Sequence, residues 1–289
     1  MLGIREGIER QVHQLVGFGS GEVDLDRPAG DPGLFGPASA AWKVHGDFTT
    51  MMIGGLAGLL MQMLHPGVLA GVWDHSNFRQ DMLGRLRRTA QFIAGTTYGS
   101  TAQALALIAK VQVIHDHVQG WTQDGAHYSA HDPDLLAWVH VTETTSFLNA
   151  YVRYRAPWFP QSAQDRYFAE MAEIADRLGA LHVPKTLADA MAFIEDMRPT
   201  LRCDERTRQV ARALLVPRSV HLGPLLFQSV TNSAAIDLLP EWAARMHRLP
   251  MPRQARPIVR GGAQGMAMAL RWALRDGSAR RARRRVKGT

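Results

Sequence analysis

Apolar residues recur at three- and four-residue spacings along almost the whole chain, and prolines and glycines cut that pattern into segments. The breaks include Gly179, Pro184, Pro199, Pro217, Pro240, Pro250, Pro252 and Pro257. A period near 3.6 with regular breakers specifies helices joined by short turns. Stretches that alternate at period two, as strands do, are missing. The expected fold is all-α, a single helical domain of about ten helices. With 289 residues, 46% of them hydrophobic, the chain can bury one sizeable core.

Local signals place the segments. Residues 1–40 read as an N-terminal segment that ends in a Pro/Gly loop, residues 41–275 as the helical domain, and residues 276–289 as a basic flexible tail. The first helix of the domain is expected to run through Met63 and to break at His65-Pro66-Gly67, with His65 complementing its C-terminal dipole. Gly54 and Gly58 on it have the spacing of a helix packed closely against a neighbour. Asn77 with Gln80 predicts the cap of a helix that reaches about Thr97. Ser100 with Gln103 predicts a capping box for the next, which Gly120 closes. Asp132-Pro133 opens a helix to about Arg155. Further helices are expected over 163–178, 187–197, 204–215, 224–238 and 258–275.

Charge and cysteine content exclude several classes. The lone Cys203 rules out an internal disulfide and any cysteine-built metal centre. The formal charge of +7 is concentrated in the tail, where Arg275, Arg280, Arg281, Arg283, Arg284, Arg285 and Lys287 face only Asp276. The body is nearly neutral and carries no nucleic-acid-binding module. The N-terminus lacks the apolar core of a signal peptide. The most apolar run, residues 51–64, is short for a membrane span. A cytoplasmic, membrane-peripheral protein is expected, with the tail making weak contact with anionic membrane.

Five of the twelve histidines fall between residues 115 and 140. Ala104, Ile108, Val111, His115 and Val118 share one helix face. His115 therefore points inward, and His117, about 200° further round, points away, so the two cannot chelate one metal. Leu136, His140, Thr144, Phe147 and Tyr151 form a second face with His140 inward. Phase alone leaves a satisfied core histidine the commoner explanation at either position. Arg85, Arg88, Thr89 and Phe92 share a third face, where arginines supply fixed charge to an anionic ligand or simply meet solvent. "WDHS" at 73–76 is not a catalytic triad, because adjacent residues cannot converge on one centre. Phosphate-loop, dinucleotide-fold, nucleophile-elbow and zinc-protease motifs are absent. No carboxylate–histidine spacing on one helix is seen that would support a non-haem metal hydrolase.

Four pieces, in order and at fixed spacing, give the chain a family resemblance: "HPGVLAGVWDHSNF" (65–78), "GRLRRTAQFIAGTTYGS" (84–100), "VIHDHVQG" (113–120) and "YSAHDPDLLAWVH" (128–140). Together they resemble the MpaB-type oxygenase family, which includes the latex-clearing rubber oxygenases. Weaker similarity continues through "RLGALHVPKTLADAMAFI" (177–194). The resemblance implies a distantly globin-like helical bundle that binds one haem b. The histidine of its H-x-x-V motif, here His115, is implied as the axial iron ligand. The Arg-x-x-basic-Thr motif reads here as Arg85, Arg88 and Thr89. The rubber-cleaving branch has a lysine at the basic position. Arginine remains protonated and ligates iron poorly, so a lysine-closed resting state is not expected. Gln119 and Gly120 stand where that branch has an Arg-His pair, which argues against polyisoprene cleavage.

The resemblance thus implies a haem b oxygenase acting with dioxygen on an apolar small molecule. In that reading His115 is the metal ligand. Arg85 and Arg88 bind the cofactor or orient dioxygen, and Thr89 and His140 complete the catalytic pocket. A haem-binding sensor or carrier without turnover stays open as an alternative, followed by the His-metal hydrolase. Oligomeric state is not set by the sequence.

Overall fold

Two glycines fix how the central helices meet. In the computed structural model, which describes residues 6–7, 23–216, 222–274 and 276–288, helix α2 (Phe48–Gln62) lies against helix α6 (Pro133–Tyr154). A Cβ added to Gly54 would come within 2.8 Å of the Phe147 Cα and the Ser146 carbonyl oxygen, and one on Gly58 within 3.3 Å of the Glu143 Cα. The close packing expected from the Gly54/Gly58 spacing is therefore present. It brings the backbone of one turn of α6, residues 143–147, directly against α2.

The remaining helices surround this pair. In chain order they are α1 (Ala40–Val44), α3 (Pro66–His75), α4 (Met82–Tyr98), α5 (Thr101–His115), α7 (Gln161–Leu178), α8 (Leu187–Met197), α9 (Glu205–Leu215), α10 (Leu222–Leu238), α11 (Glu241–Met246), α12 (Arg256–Ala273) and α13 (Ser278–Lys287). Among the described residues there are thus thirteen α-helices, and the all-α expectation holds. The core runs through Ile53, Leu60, Leu64, Trp138, Leu148 and Phe168, all essentially buried. Trp138 also donates its indole N–H to the Gln62 carbonyl at the end of α2 (3.3 Å).

Capping explains where sequence and structure agree. Ser100 and Gln103 form the expected capping box on α5, and Asp132 caps α6 with Pro133 at its first position. Elsewhere local chemistry moved the boundaries. The helix expected to run unbroken to Met63 is cut at His45–Asp47, because the Asp47 carboxylate accepts from Thr50 N (3.0 Å) and starts α2 anew. Asp81, not Asn77, caps α4 through Gly84 N (2.7 Å). His65 is the N-cap of α3, accepting from Gly67 N, rather than a C-terminal dipole partner. Helix α5 stops at His115, before Gly120. Gly120 lies in a short antiparallel hairpin, β1 (Gln119–Trp121) with β2 (His127–Ser129), which the sequence reading left as loop.

The largest departure is the basic tail, expected to be flexible. Residues Ser278–Lys287 form helix α13. Arg285 is 2% exposed, and its guanidinium donates to three backbone carbonyls: Leu25 (3.3 Å), Asp31 (3.0 Å) and Gly99 (3.0 Å). Gly30 N donates back to the Arg285 carbonyl (2.7 Å), and Ala282 is fully buried beside it. One arginine thus ties the C-terminal helix to the 23–33 loop and to the end of α4. Composition alone reads such a run as solvated, because it does not reveal which cation finds acceptors. Half of the N-terminal segment expected over 1–40 (residues 1–5 and 8–22) lies outside the described residues, as do Pro217 and Arg275.

Candidate functional site

Helices α2, α4, α5, α6 and α7, with α10, α12 and the start of α13, enclose a cavity of about 1780 Å³. Its walls are mainly apolar, with Met51, Leu59, Phe92, Phe147 and Met171 among them. Arg85, Arg88, Thr89, His115 and His140 all border it. Three helices that the sequence reading treated separately therefore bring their inward faces to one space. His117, whose phase pointed it away, is exposed and does not reach the cavity.

The histidines differ in what satisfies them. His45, buried in the cavity wall, spends both ring nitrogens on neighbours: Nδ1 on Thr97 Oγ1 and Nε2 on Tyr167 Oη, each at 2.8 Å. Burial pushes its pKa down to about 3. It is a core histidine with nothing left to offer. His115, the last residue of α5, has a buried Nδ1 with no hydrogen-bond partner. Burial lowers its pKa, the neighbouring His131 lowers it further, and Asp116 partly opposes them. The result is a neutral imidazole with an unused buried nitrogen.

His140 sits on α6, and burial lowers its pKa to about 4. The Thr144 hydroxyl donates to the His140 carbonyl (2.7 Å) and stands 3.4 Å from His140 Nε2. Its proton is thus committed, so the ring meets it as a donor from Nε2.

The two arginines also divide. Arg88 lies at the rim, half exposed, with Asn77 Oδ1 at 3.2 Å and the Asp81 carboxylate at 3.7 Å. Arg85 is half-buried in the cavity wall and makes no ion pair among the described residues. Burial, and then the charge of Arg88, lower its pKa to about 10. A cation in that position calls for an anion. Thr89 turns its hydroxyl back to the Arg85 carbonyl (3.3 Å).

The sequence reading missed Glu143. It lies one turn beyond His140, borders the same cavity, and burial raises its pKa to about 7. Its signal was legible as His140-x-x-Glu143, an i, i+3 pair that contradicts the expectation of no carboxylate–histidine spacing on one helix. Even so, no group of three or more His, Cys, Asp or Glu side chains among the described residues is arranged to hold a metal ion. The hydrolase alternative therefore gains nothing from the pair. Asp74 and His75 of "WDHS" serve the hairpin instead: the Tyr128 hydroxyl donates to Asp74 Oδ2 (2.8 Å), and His75 Nε2 bonds the Gln119 carbonyl (3.1 Å).

Fold and site together define a predominantly helical protein with a mainly apolar cavity bordered, among the described residues, by Arg85, which has no ion pair, and by His115, whose ring makes no hydrogen bond. The model of the family described as ER-bound oxygenase mpaB/B′/rubber oxygenase, catalytic domain, matches residues 42–272, and the chain belongs to that family. The match contains all five expected site residues and Glu143, and it ends before α13. No curated protein and no solved structure matches the chain. Among the described residues no single helix is long and apolar enough to cross a membrane, although α2 and α3 would pass as a bent pair by length and composition.

Proposed function

We propose that the chain is a haem b-dependent oxygenase that acts with dioxygen on an apolar small molecule. The observation that carries the reading is that one cavity is bordered both by the His115 imidazole, which makes no hydrogen bond among the described residues, and by the Arg85 guanidinium, which makes no ion pair there. An imidazole nitrogen without a donor suits a metal, and a half-buried guanidinium without a carboxylate suits an anion. Haem b offers both an iron and two carboxylates. When bound, haem supplies the iron centre at which dioxygen is activated.

The chain's own residues supply the rest. His115 provides a neutral lone pair, since its lowered pKa keeps it unprotonated at neutral pH. Arg85 neutralises a carboxylate inside the cavity, and Arg88 meets one at the rim. Small-molecule sites commonly span about 300–1,000 Å³, so a cavity of about 1780 Å³ has room for a substrate beside a cofactor. Met51, Leu59, Phe92 and Phe147 exclude water and favour an apolar substrate. His140 stays neutral and Glu143 keeps a proton up to about pH 7, so this wall offers a proton donor without fixed charge. Thr89, its hydroxyl turned back to the Arg85 carbonyl of its own helix, completes the pocket wall on α4. In this reading residues 41–275 carry the reaction, in the cytoplasm.

Reconstitution with hemin, followed by measurement of dioxygen uptake over a panel of apolar alkenes, tests the proposal. Uptake that depends on His115 is expected. Tight hemin binding with no uptake across the panel would favour a carrier or sensor instead.

A further inference from the structure

The cavity reaches solvent beside α10, α12 and α13. Leu226, Ala269, Gly277 and Arg284 are exposed and also line the cavity. Helices α10 and α12 also carry large apolar side chains exposed on the surface. Leu222 is 70% exposed, Leu226 56%, Met268 65% and Trp272 48%. Exposed side chains of this size on two packed helices that also line the cavity mark an interaction surface.

The neighbouring helix is strongly cationic on one side. Arg280, Arg283, Arg284 and Lys287 are exposed on α13 at i, i+3, i+4 and i+7, while Arg285 faces the opposite way into the protein. Arg281 and Arg284 are engaged by Asp26 and Asp276 (2.5–3.6 Å). Arg280, Arg283 and Lys287 make no ion pair among the described residues. Apolar side chains beside a row of unpaired cations match an anionic bilayer surface, whose headgroups attract the cations and whose acyl boundary accepts the apolar side chains. An acidic protein surface would answer the cations and leave the apolar set uncovered.

We propose that this face docks on an anionic lipid bilayer, so that the cavity mouth opens onto the lipid and an apolar substrate enters from it. The face includes α13, which lies beyond the residues the family match covers. Entry of substrate rests on the reading of the cavity given above, but docking does not, so the two are separable.

Sedimentation of the full chain with phosphatidylcholine–phosphatidylserine vesicles, against pure phosphatidylcholine, tests docking without haem or substrate. Binding is expected only with phosphatidylserine and should fall with salt. A single cation near such a surface is worth about fivefold in partitioning, so Arg280→Gln with Arg283→Gln should lose about 25-fold. Brominated lipid should quench tryptophan fluorescence in the wild type, and that quenching should shrink in Trp272→Phe. Val113→Ser, on the exposed side of α5, should leave binding unchanged. Equal binding to both vesicle types, indifference to the arginine pair, or quenching insensitive to Trp272 would overturn the proposal. Salt-sensitive binding with no quenching at all would mean electrostatic adsorption without a docked mouth, and would overturn it too.

Discussion

The rings of His115 and His131 stand edge to face, 6.0 Å between centroids and 82° between planes, and Asp116 Oδ1 holds His131 Nε2 at 2.7 Å. His131 is thus anchored outside the cavity while the neighbouring ring lines it. Burial first and then the neighbouring His131 lower the His115 pKa. Replacing His131 with alanine should move the His115 titration upward, read by NMR of ring protons, and should leave hemin binding intact. A His115 titration that does not move would show that burial alone sets it.

Arg85 makes an unusual prediction because two readouts should change in opposite senses. A half-buried guanidinium without a counter-ion costs folding free energy and supplies affinity for an anion. Arg85→Met should raise the stability of the cofactor-free protein, by about 1–3 kcal/mol, in urea unfolding. The same variant should weaken hemin binding. Loss of both stability and hemin binding would identify Arg85 as a packing residue.

The contact of α2 with α6 predicts an asymmetry between adjacent glycines. A methyl group at Gly54 would strike the Phe147 and Ser146 backbone at 2.8 Å, whereas at Gly55 it would meet only the Phe147 ring, at 3.5 Å. Gly54→Ala should destabilise by about 1–3 kcal/mol through overpacking and weaken hemin binding by shifting the wall that carries His140 and Glu143. Gly55→Ala should be close to neutral in thermal unfolding, with helix propensity in its favour.

His140 and Glu143 should give pH dependences of opposite sign. The folded pKa of His140, about 4, lies below its ordinary 6.5, so the unfolded chain binds more protons between those values. Its contribution is full above about pH 6.5 and falls as the pH drops toward 4, by about 3 kcal/mol in all. Glu143 is raised from 4.5 to about 7, so here the folded chain holds the extra proton, and stability falls as the pH rises through that interval. Compared with the wild type between pH 4.5 and 6.5, His140→Gln should lose less stability on acidification and Glu143→Gln should lose more. Denaturant titrations across that range would show the two slopes diverging, or contradict the assignment by moving together.

Helical phase was enough to aim His115, His140 and the Arg85 face inward, because a 3.6-residue period fixes direction without knowledge of the neighbours. That these faces meet at one cavity depends on how α4, α5 and α6 pack, which phase does not contain. The i, i+3 relation of Glu143 to His140 was readable but carries little weight alone, since charged residues on helices usually face solvent. Only its place beneath the Gly58 contact makes it interior. Boundaries moved where a carboxylate made the better cap, as at Asp47 and Asp81. The order of α13 is hidden in the sequence because Arg285 finds its three carbonyl acceptors 186 to 260 positions away, at Gly99, Asp31 and Leu25.

The most direct test of the account is the absorption spectrum of the purified protein titrated with hemin, wild type beside His115→Ala, with circular dichroism to confirm that both are folded. The account predicts saturable binding of one hemin with a Soret band in the wild type, and loss of that ligated band in the variant with its helicity kept. A wild type that takes up no hemin, or a variant whose Soret band is unchanged, would contradict it.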